Sequence, residues 1–363
     1  MVFIKIFKVI IILTKIKLKI RLPKSCDILC YDEGRRFNLG IKKLFKSFKT
    51  DIIYVRLEEI NVLIVLKSII SKILNLEVSF KNHYIKNYCY QVNPKIILST
   101  SYYDESFLYL KEIIPKKIKT ILVQRCPYKD SDFSFRKKKV NINQVYLFNH
   151  KSKKIIDKYF ITKKFILGSF NNNNQKKNKI KKSSILIVSG YKKNFEILDT
   201  SENNEYYLNT IHEKKMIKLI LNHLSKKYKI KILLKPDVKK SDYLNYSGIN
   251  SKYVFENRGK PYKFIDESEL VITFNNGTMG HESISRGVKN IQIPRPKLSK
   301  SKKFNIYNGT LEDKKIIFFL SSIFKMSIKT YFKKMNKFYE EIIYFNENNI
   351  LLKKNLKNLI IKN

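Results

Sequence analysis

Between two apolar runs, Leu270–Phe274 and Asn290–Pro294, the chain carries Asn275-Asn276-Gly277-Thr278-Met279-Gly280 and then His281-Glu282-Ser283 in helix-compatible spacing. A strand, a glycine-bearing turn, a short helix and a second strand place backbone N–H groups at the carboxyl edge of a parallel sheet. The first N–H groups of a helix lack internal partners, and the helix dipole favours anions there. Gly277, Thr278, Met279 and Gly280 are therefore candidates to hold a diphosphate. The other use of the two glycines is a tight strand-to-helix turn, and the other use of Thr278 is to cap the helix. Glu282 lies one turn further in. A carboxylate there stays clear of the phosphate and can accept hydrogen bonds from ribose hydroxyls, or it can be an ordinary solvated helix residue.

Other residues share this edge in the sequence pattern. Ser189-Gly190 closes the apolar run Ser184–Ser189, and Lys235 closes Lys229–Leu234. Arg258 follows the short run Tyr253–Glu256 and is one of few arginines. Lys235 and Arg258 can neutralise phosphate; in so lysine-rich a chain they can equally be solvated surface charge. The five histidines form no metal-ligand spacing. His281 and Glu282 are adjacent on a helix, so they point about 100° apart and do not serve one group. Cys26, Cys30, Cys89 and Cys126 have no second pair or nearby His to complete a zinc site, and read as reduced buried thiols.

The elements that must carry these residues alternate. Strands are expected at Asp27–Tyr31, Asp51–Val55, Lys95–Ser99, Thr120–Val123, Gln144–Phe148 and Lys164–Leu167. Helices are expected at Gly40–Phe48, Asn61–Leu74, Asp104–Ile114 and Lys151–Tyr159. That alternation predicts a parallel sheet covered on both faces. Residues 171–182, NNNNQKKNKIKK, are almost free of apolar side chains and read as a linker. Beyond it the alternation restarts with Ser184–Ser189. Thr210 to Glu213 has capping-box spacing ahead of a helix to about Lys227. A short helix is expected at Phe264–Glu269, Gly287 is placed to end the helix after the glycine turn, and the chain from about Asp313 reads as helical. The expected division is an arm at 1–22, a first domain at 23–170, the linker, a second domain at 183–312 and C-terminal helices at 313–363. The fold class is α/β, two doubly wound Rossmann-like domains facing across a cleft.

The net charge of +44 comes from 74 Lys and Arg against 30 Asp and Glu. Most of the excess is Lys, in a chain rich in Ile, Asn, Tyr and Phe that has no Ala and no Trp. That is the signature of A/T-rich codons more than of specific nucleic-acid reading, which favours the bidentate fork of Arg. The charge still suits an anionic membrane surface or polyanionic substrates. Residues 1–22 mix lysines with aliphatic side chains. Their longest unbroken apolar run is far below the roughly 20 residues that a spanning helix needs. They read as a basic amphipathic arm for the inner membrane face, or as an ordinary first element of the domain. The location expected is cytoplasmic, with peripheral membrane contact.

From Pro23 to Pro294 the motifs resemble, in order, those of bacterial surface-carbohydrate biosynthesis proteins of the GT-B glycosyltransferase-like class. Pro23 to Glu33 resembles the opening strand and its acidic end. Arg56-Leu57-Glu58-Glu59-Ile60-Asn61 resembles an Arg-x-Glu-x-Ile-Asn segment. Thr120–Gln124 resembles a strand ending in Gln, and Gly168-Ser169-Phe170 the end of a first domain. Gly277-Thr278-Met279-Gly280-His281-Glu282 with Arg286-Gly287 resembles Ser-Thr-Leu-Gly-Tyr-Glu followed by Arg-Gly. Gly277 and His281 depart from that signature, as does Arg125-Cys126 where the family tends to Asn-Gly. The resemblance implies two Rossmann-like domains, a C-terminal helix returning to the first, and transfer of a sugar from a nucleotide-sugar donor to a glycan or lipid-linked acceptor. No separate cofactor or metal is called for.

Displacement at an anomeric carbon uses a general base for the acceptor hydroxyl. Asp32, Glu33, Glu58 and Asp104, at strand ends of the first domain, are the candidates, and Glu58 can instead pair with a lysine. A retaining course can proceed without such a base. Two other functions compete: a sugar-nucleotide 2-epimerase of the same fold, and a non-catalytic module that binds membrane or polyanion through its lysines.

Overall fold

The computed structural model describes residues 17–31, 35–55, 58–134, 138–178, 184–192, 205–274, 277–294, 304–307 and 313–362. Asp32, Glu33, Arg56, Leu57, Asn275, Asn276 and the first sixteen residues lie outside them. The chain forms two compact units, Met1–Asn174 with Asn346–Asn363, and Gln175–Phe345.

The first unit contains β1 (Lys17–Lys19), β2 (Ile28–Tyr31), β3 (Thr50–Ile53), β4 (Glu59–Asn61), β5 (Ile96–Ser99), β6 (Lys119–Val123), β7 (Val140–Leu147) and β8 (Phe160–Ile166). Six of these form one sheet in the order β3-β2-β5-β6-β7-β8, every pairing parallel. β2 and β5 are buried at every position, as strands covered on both faces must be. Tyr31, Leu29 and Ile97 face one apolar core, while Ile28, Cys30, Ile96 and Leu98 face the other. β1 pairs in parallel with β4 as a separate two-stranded sheet, so residues 17–19 of the expected arm are part of the folded unit.

Several elements differ from the sequence reading. A helix at Phe80–Val92 was not expected; its mean polarity hides a face that buries Ile85, Tyr88, Cys89 and Val92. The expected helix 104–114 breaks at Tyr109 into Glu105–Leu108 and Leu110–Ile113. The stretch read as a linker begins inside a short helix, Phe170–Asn173, with Asn172 and Asn173 fully buried. Asn173 Nδ2 donates to Leu167 O and to Asn349 Oδ1, so its amide replaces apolar packing with hydrogen bonds. The C-terminal helices divide: residues to Phe345 belong to the second unit, and the helix Ile350–Lys362 returns to the first. Its Leu352, Leu356 and Ile360 join the core of Ile28, Ile41 and Ile96.

The second unit contains β9 (Ser184–Val188), β10 (Lys229–Leu233), β11 (Val254–Phe255), β12 (Ser268–Phe274) and β13 (Lys289–Ile293), all parallel in the order β11-β10-β9-β12-β13. The chain runs outward from β9 through β10 to β11, then crosses to the other side of β9. Thr210 caps nothing: the helix spans Glu205–Leu224 and Thr210 is buried inside it. Pro261, at the first turn, starts the next helix earlier than expected, at Pro261–Asp266. Gly287 does follow the Thr278–Ser285 helix, with a φ of 78° that a side chain would strain.

Candidate functional site

In an open parallel sheet, the loops on either side of the strand where the order reverses part to leave a crevice at the carboxyl edge. In the second unit that place lies between β9 and β12. Val188 pairs with Leu233 and with Thr273, so the three strands end level. Ser189-Gly190, Lys235 and the segment from Gly277 therefore leave the same edge of the sheet.

The helix Thr278–Ser285 begins at Gly277, which has no side chain to cap it. Gly277 is exposed, and a Cβ there would meet only Phe274 O at 3.8 Å. Gly280 is different. A Cβ on it would stand 2.7 Å from Thr273 Oγ1 and 3.1 Å from Asn290 Nδ2. Its missing side chain lets the helix lie against β12 and β13, so Gly280 serves close packing. Met279 packs on the small core around Leu186, Leu233 and Ile265. Thr278 is half-buried.

Glu282 is buried at 4% exposure, and its Oε1 accepts from Tyr262 Oη at 3.1 Å. It is no solvated helix residue. Arg286 of the same signature is buried as well. Its Nε and Nη2 donate to both carboxylate oxygens of Asp266 at 2.7 and 2.6 Å, and its Nη1 and Nη2 also reach Gln175 O and Lys176 O. The bidentate pair ties the helix Pro261–Asp266 to the end of the helix that follows the glycine turn, and the bonds to Gln175 and Lys176 fasten the entry of the second unit there.

A carboxylate that the sequence reading assigned to a cap dominates the other side of the crevice. Glu213 Oε1 accepts from Ser189 Oγ at 2.5 Å, and both its oxygens accept from Gly190 N at 2.9 Å. A Cβ on Gly190 would lie 2.8 Å from Glu213 Oε2. Burial pushes the Glu213 carboxyl up to about 7, against the pull of the Ser189 and Gly190 hydrogen bonds and of Lys235. Lys235 Nζ donates to Gly190 O at 2.5 Å, and burial, then nearby Lys192, lowers its pKa. The Ser189–Gly190 turn is thus gripped by a carboxylate and an ammonium. The signal for Glu213 was its spacing: with Met216, Ile217, Ile220 and Leu224 it occupies the buried face of its helix.

Arg258 is 88% exposed at the side chain and sits 3.4 Å from Glu256. With Lys240, Lys260, Lys263, Phe255 and Phe264 it lines a cavity of about 580 Å³ beyond β11.

In the first unit Asp104 lies just beyond β5, near the end of β2. Its oxygens accept from Tyr31 Oη, Lys81 Nζ and Ser106 N, the last as the cap of a short helix. Glu58 is exposed at the entry to β4, and its carbonyl accepts from Lys17 N. Among the described residues no cluster of three or more His, Cys, Asp or Glu side chains is placed to hold a metal ion.

No protein-family model matches the chain, and no curated protein matches it. Solved structures do. A variant of the wall teichoic acid polymerase TagF superposes with a TM-score of 0.51 at 9% identity, over 94% of this chain and 90% of that one. The spinosyn forosaminyltransferase SpnP gives 0.51 at 8% identity, over 93% and 100%. The spinosyn rhamnosyltransferase SpnG gives 0.50 at 8%, over 90% and 99%. At these identities the likeness establishes the fold alone: two Rossmann-like domains of the GT-B glycosyltransferase kind.

Proposed function

We propose that the protein is a glycosyltransferase that moves a sugar from a nucleotide-sugar donor to a glycan or lipid-linked acceptor in surface polysaccharide synthesis. One observation carries this reading. The uncapped helix at Gly277 and the gripped Ser189–Gly190 turn flank the reversal point of the second sheet, with Lys235 on the same edge. The fold neighbours named polymerase, forosaminyltransferase and rhamnosyltransferase agree with it.

In this reading the donor's diphosphate lies at the N–H groups of Thr278 and Met279, with Lys235 offsetting its charge. Glu282, held in place by Tyr262, accepts from ribose hydroxyls. The cationic cavity at Arg258 flanks the nucleotide. An acceptor oxygen attacks the anomeric carbon, the bond to the diphosphate breaks, and the leaving charge stays on oxygens already facing N–H groups and a cation. Of the two candidate carboxylates that are described, Glu58 is exposed while Asp104 accepts from three donors, so Glu58 is the base in this reading. Residues 1–22, of which 17–19 form the strand β1 of the folded unit, add basic contacts to the inner face of the membrane.

Incubation with a panel of sugar nucleotides, with and without lipid-linked or glycan acceptors, tests this. Nucleotide release that requires acceptor supports transfer. Sugar interconversion without acceptor replaces transfer by epimerisation, and no nucleotide binding leaves only a membrane or polyanion module. The Glu282→Gln variant should lose roughly 1–3 kcal/mol of nucleotide affinity with its melting temperature kept; unchanged affinity removes the ribose role.

A further inference from the structure

The helix Val62–Leu74 faces the wrong way for a protein surrounded by water. Its inward side carries Ile64 and Ser68, both fully buried. Ser68 Oγ donates to Ile64 O at 2.6 Å, and Asn87 Nδ2 donates to Ser68 Oγ and Ser71 Oγ at 3.2 and 3.1 Å. The contact with the neighbouring helix Phe80–Val92 adds these polar bonds to Ile64, which joins the core of Ile85, Tyr88 and Cys89. Its outward side is aliphatic: Leu66 is 52% exposed, Ile70 60%, Ile73 69% and Leu74 82%, with Ile69 beside them at 44%. Offsets of three, four, seven and eight from Leu66 put all five on one stripe. Leu76 and Phe80, just past the helix, are also exposed. A soluble helix buries such a stripe, and a contiguous exposed patch of this kind marks an interaction surface.

Charge identifies what the surface meets. The helix contains two lysines, Lys67 and Lys72, and no acidic residue. Its cap is Asn61, the last residue of β4, whose Oδ1 accepts from Ile64 N. β4 pairs with β1, where Leu18 and Ile20 are exposed between Lys17, Lys19 and Arg21. Beside them opens a cavity of about 500 Å³ lined by Lys19, Arg21, Lys24 and Lys49 together with Asp51 and Glu59; Asn61 lines it too. The helix that carries the aliphatic stripe thus starts at a rim where Lys17 and Lys19 pair with Glu59 and where Arg21, Lys24 and Lys49 are exposed. A second copy of this chain would bring another net charge of +44 to the patch, whereas an anionic bilayer satisfies both halves at once.

We propose that the outward face of Val62–Leu74 docks on an anionic lipid bilayer, with Leu66, Ile70 and Ile73 entering the boundary between headgroups and acyl chains and the exposed Arg21 and Lys24 meeting lipid phosphates. The surface is built from described residues alone, Lys17 onward, and does not depend on sugar transfer.

Flotation of the full chain with phosphatidylcholine vesicles, and with vesicles that also contain phosphatidylglycerol, tests it. The wild-type protein floats with the anionic vesicles and far less with the neutral ones. The Leu66→Gln, Ile70→Gln, Ile73→Gln triple variant keeps residues 1–16 and its fold, since each changed side chain is already half-exposed, and its partition coefficient falls by about a hundredfold. The Arg21→Glu, Lys24→Glu variant, which leaves the helix intact, loses preference for anionic vesicles. Absence of wild-type flotation overturns the proposal. So does unchanged flotation of the triple variant, which assigns binding to residues 1–16. So does a dimer in sedimentation equilibrium that the triple variant abolishes while neither protein floats.

Discussion

Glu213 is the residue whose chemistry is most tightly fixed by its surroundings. It is buried, bonded to Ser189 and Gly190, and held near half-protonation at neutral pH by desolvation. A carboxyl raised from its ordinary value to about 7 contributes stability below the ordinary value and loses it as pH climbs through about 7. The melting temperature of the wild type, measured against that of Glu213→Gln, should therefore decline between pH 5 and pH 8, with a difference on the order of 1–3 kcal/mol over the range. Parallel pH curves for the two proteins would show that Glu213 does not titrate there. The sequence concealed this residue because Thr210 and Glu213 have the spacing of a capping box; the helix starts earlier, and the carboxylate turns to the strand β9 instead. Glu282 was legible as a special residue, but its burial against Tyr262 was not, since that contact joins two helices separated by a strand.

The glycine turn gives two glycines different duties. Gly280→Ala drives a methyl group into Thr273 and Asn290, and should cost about 1–3 kcal/mol in chemical denaturation. Gly277→Ser has room, supplies a capping hydroxyl, and should change stability by only a few tenths of a kcal/mol, or raise it. Equal costs at the two positions would contradict this assignment. Strands were the most legible elements, because β2, β5 and β9 are short unbroken apolar runs with a single solution in a two-sided sheet. Helices were less so. Phe80–Val92 carries Lys, Asn and His throughout, and its buried residues emerge only when it packs. β1 and β4 are three residues each, too short to show a period, and exist because they pair with each other.

Over the molecule as a whole, the alternation of elements was enough to read two doubly wound domains, and the structure supplies two parallel sheets with their own cores. The return of the last helix to the first unit was not readable from composition; it depends on Asn349 and Asn173 meeting across 176 residues of sequence. No helix among the described residues is long and apolar enough to cross a membrane. The proposed donor site requires a nucleoside diphosphate group to dock at the carboxyl edge of the second sheet. Hydrogen–deuterium exchange with and without a panel of nucleoside diphosphates tests it most directly. Slowed exchange is expected at Thr278–Glu282 and at Ser189–Tyr191 with a binding nucleotide, and little change in the first unit. Binding that protects only other segments, or no binding by any nucleotide, would contradict it.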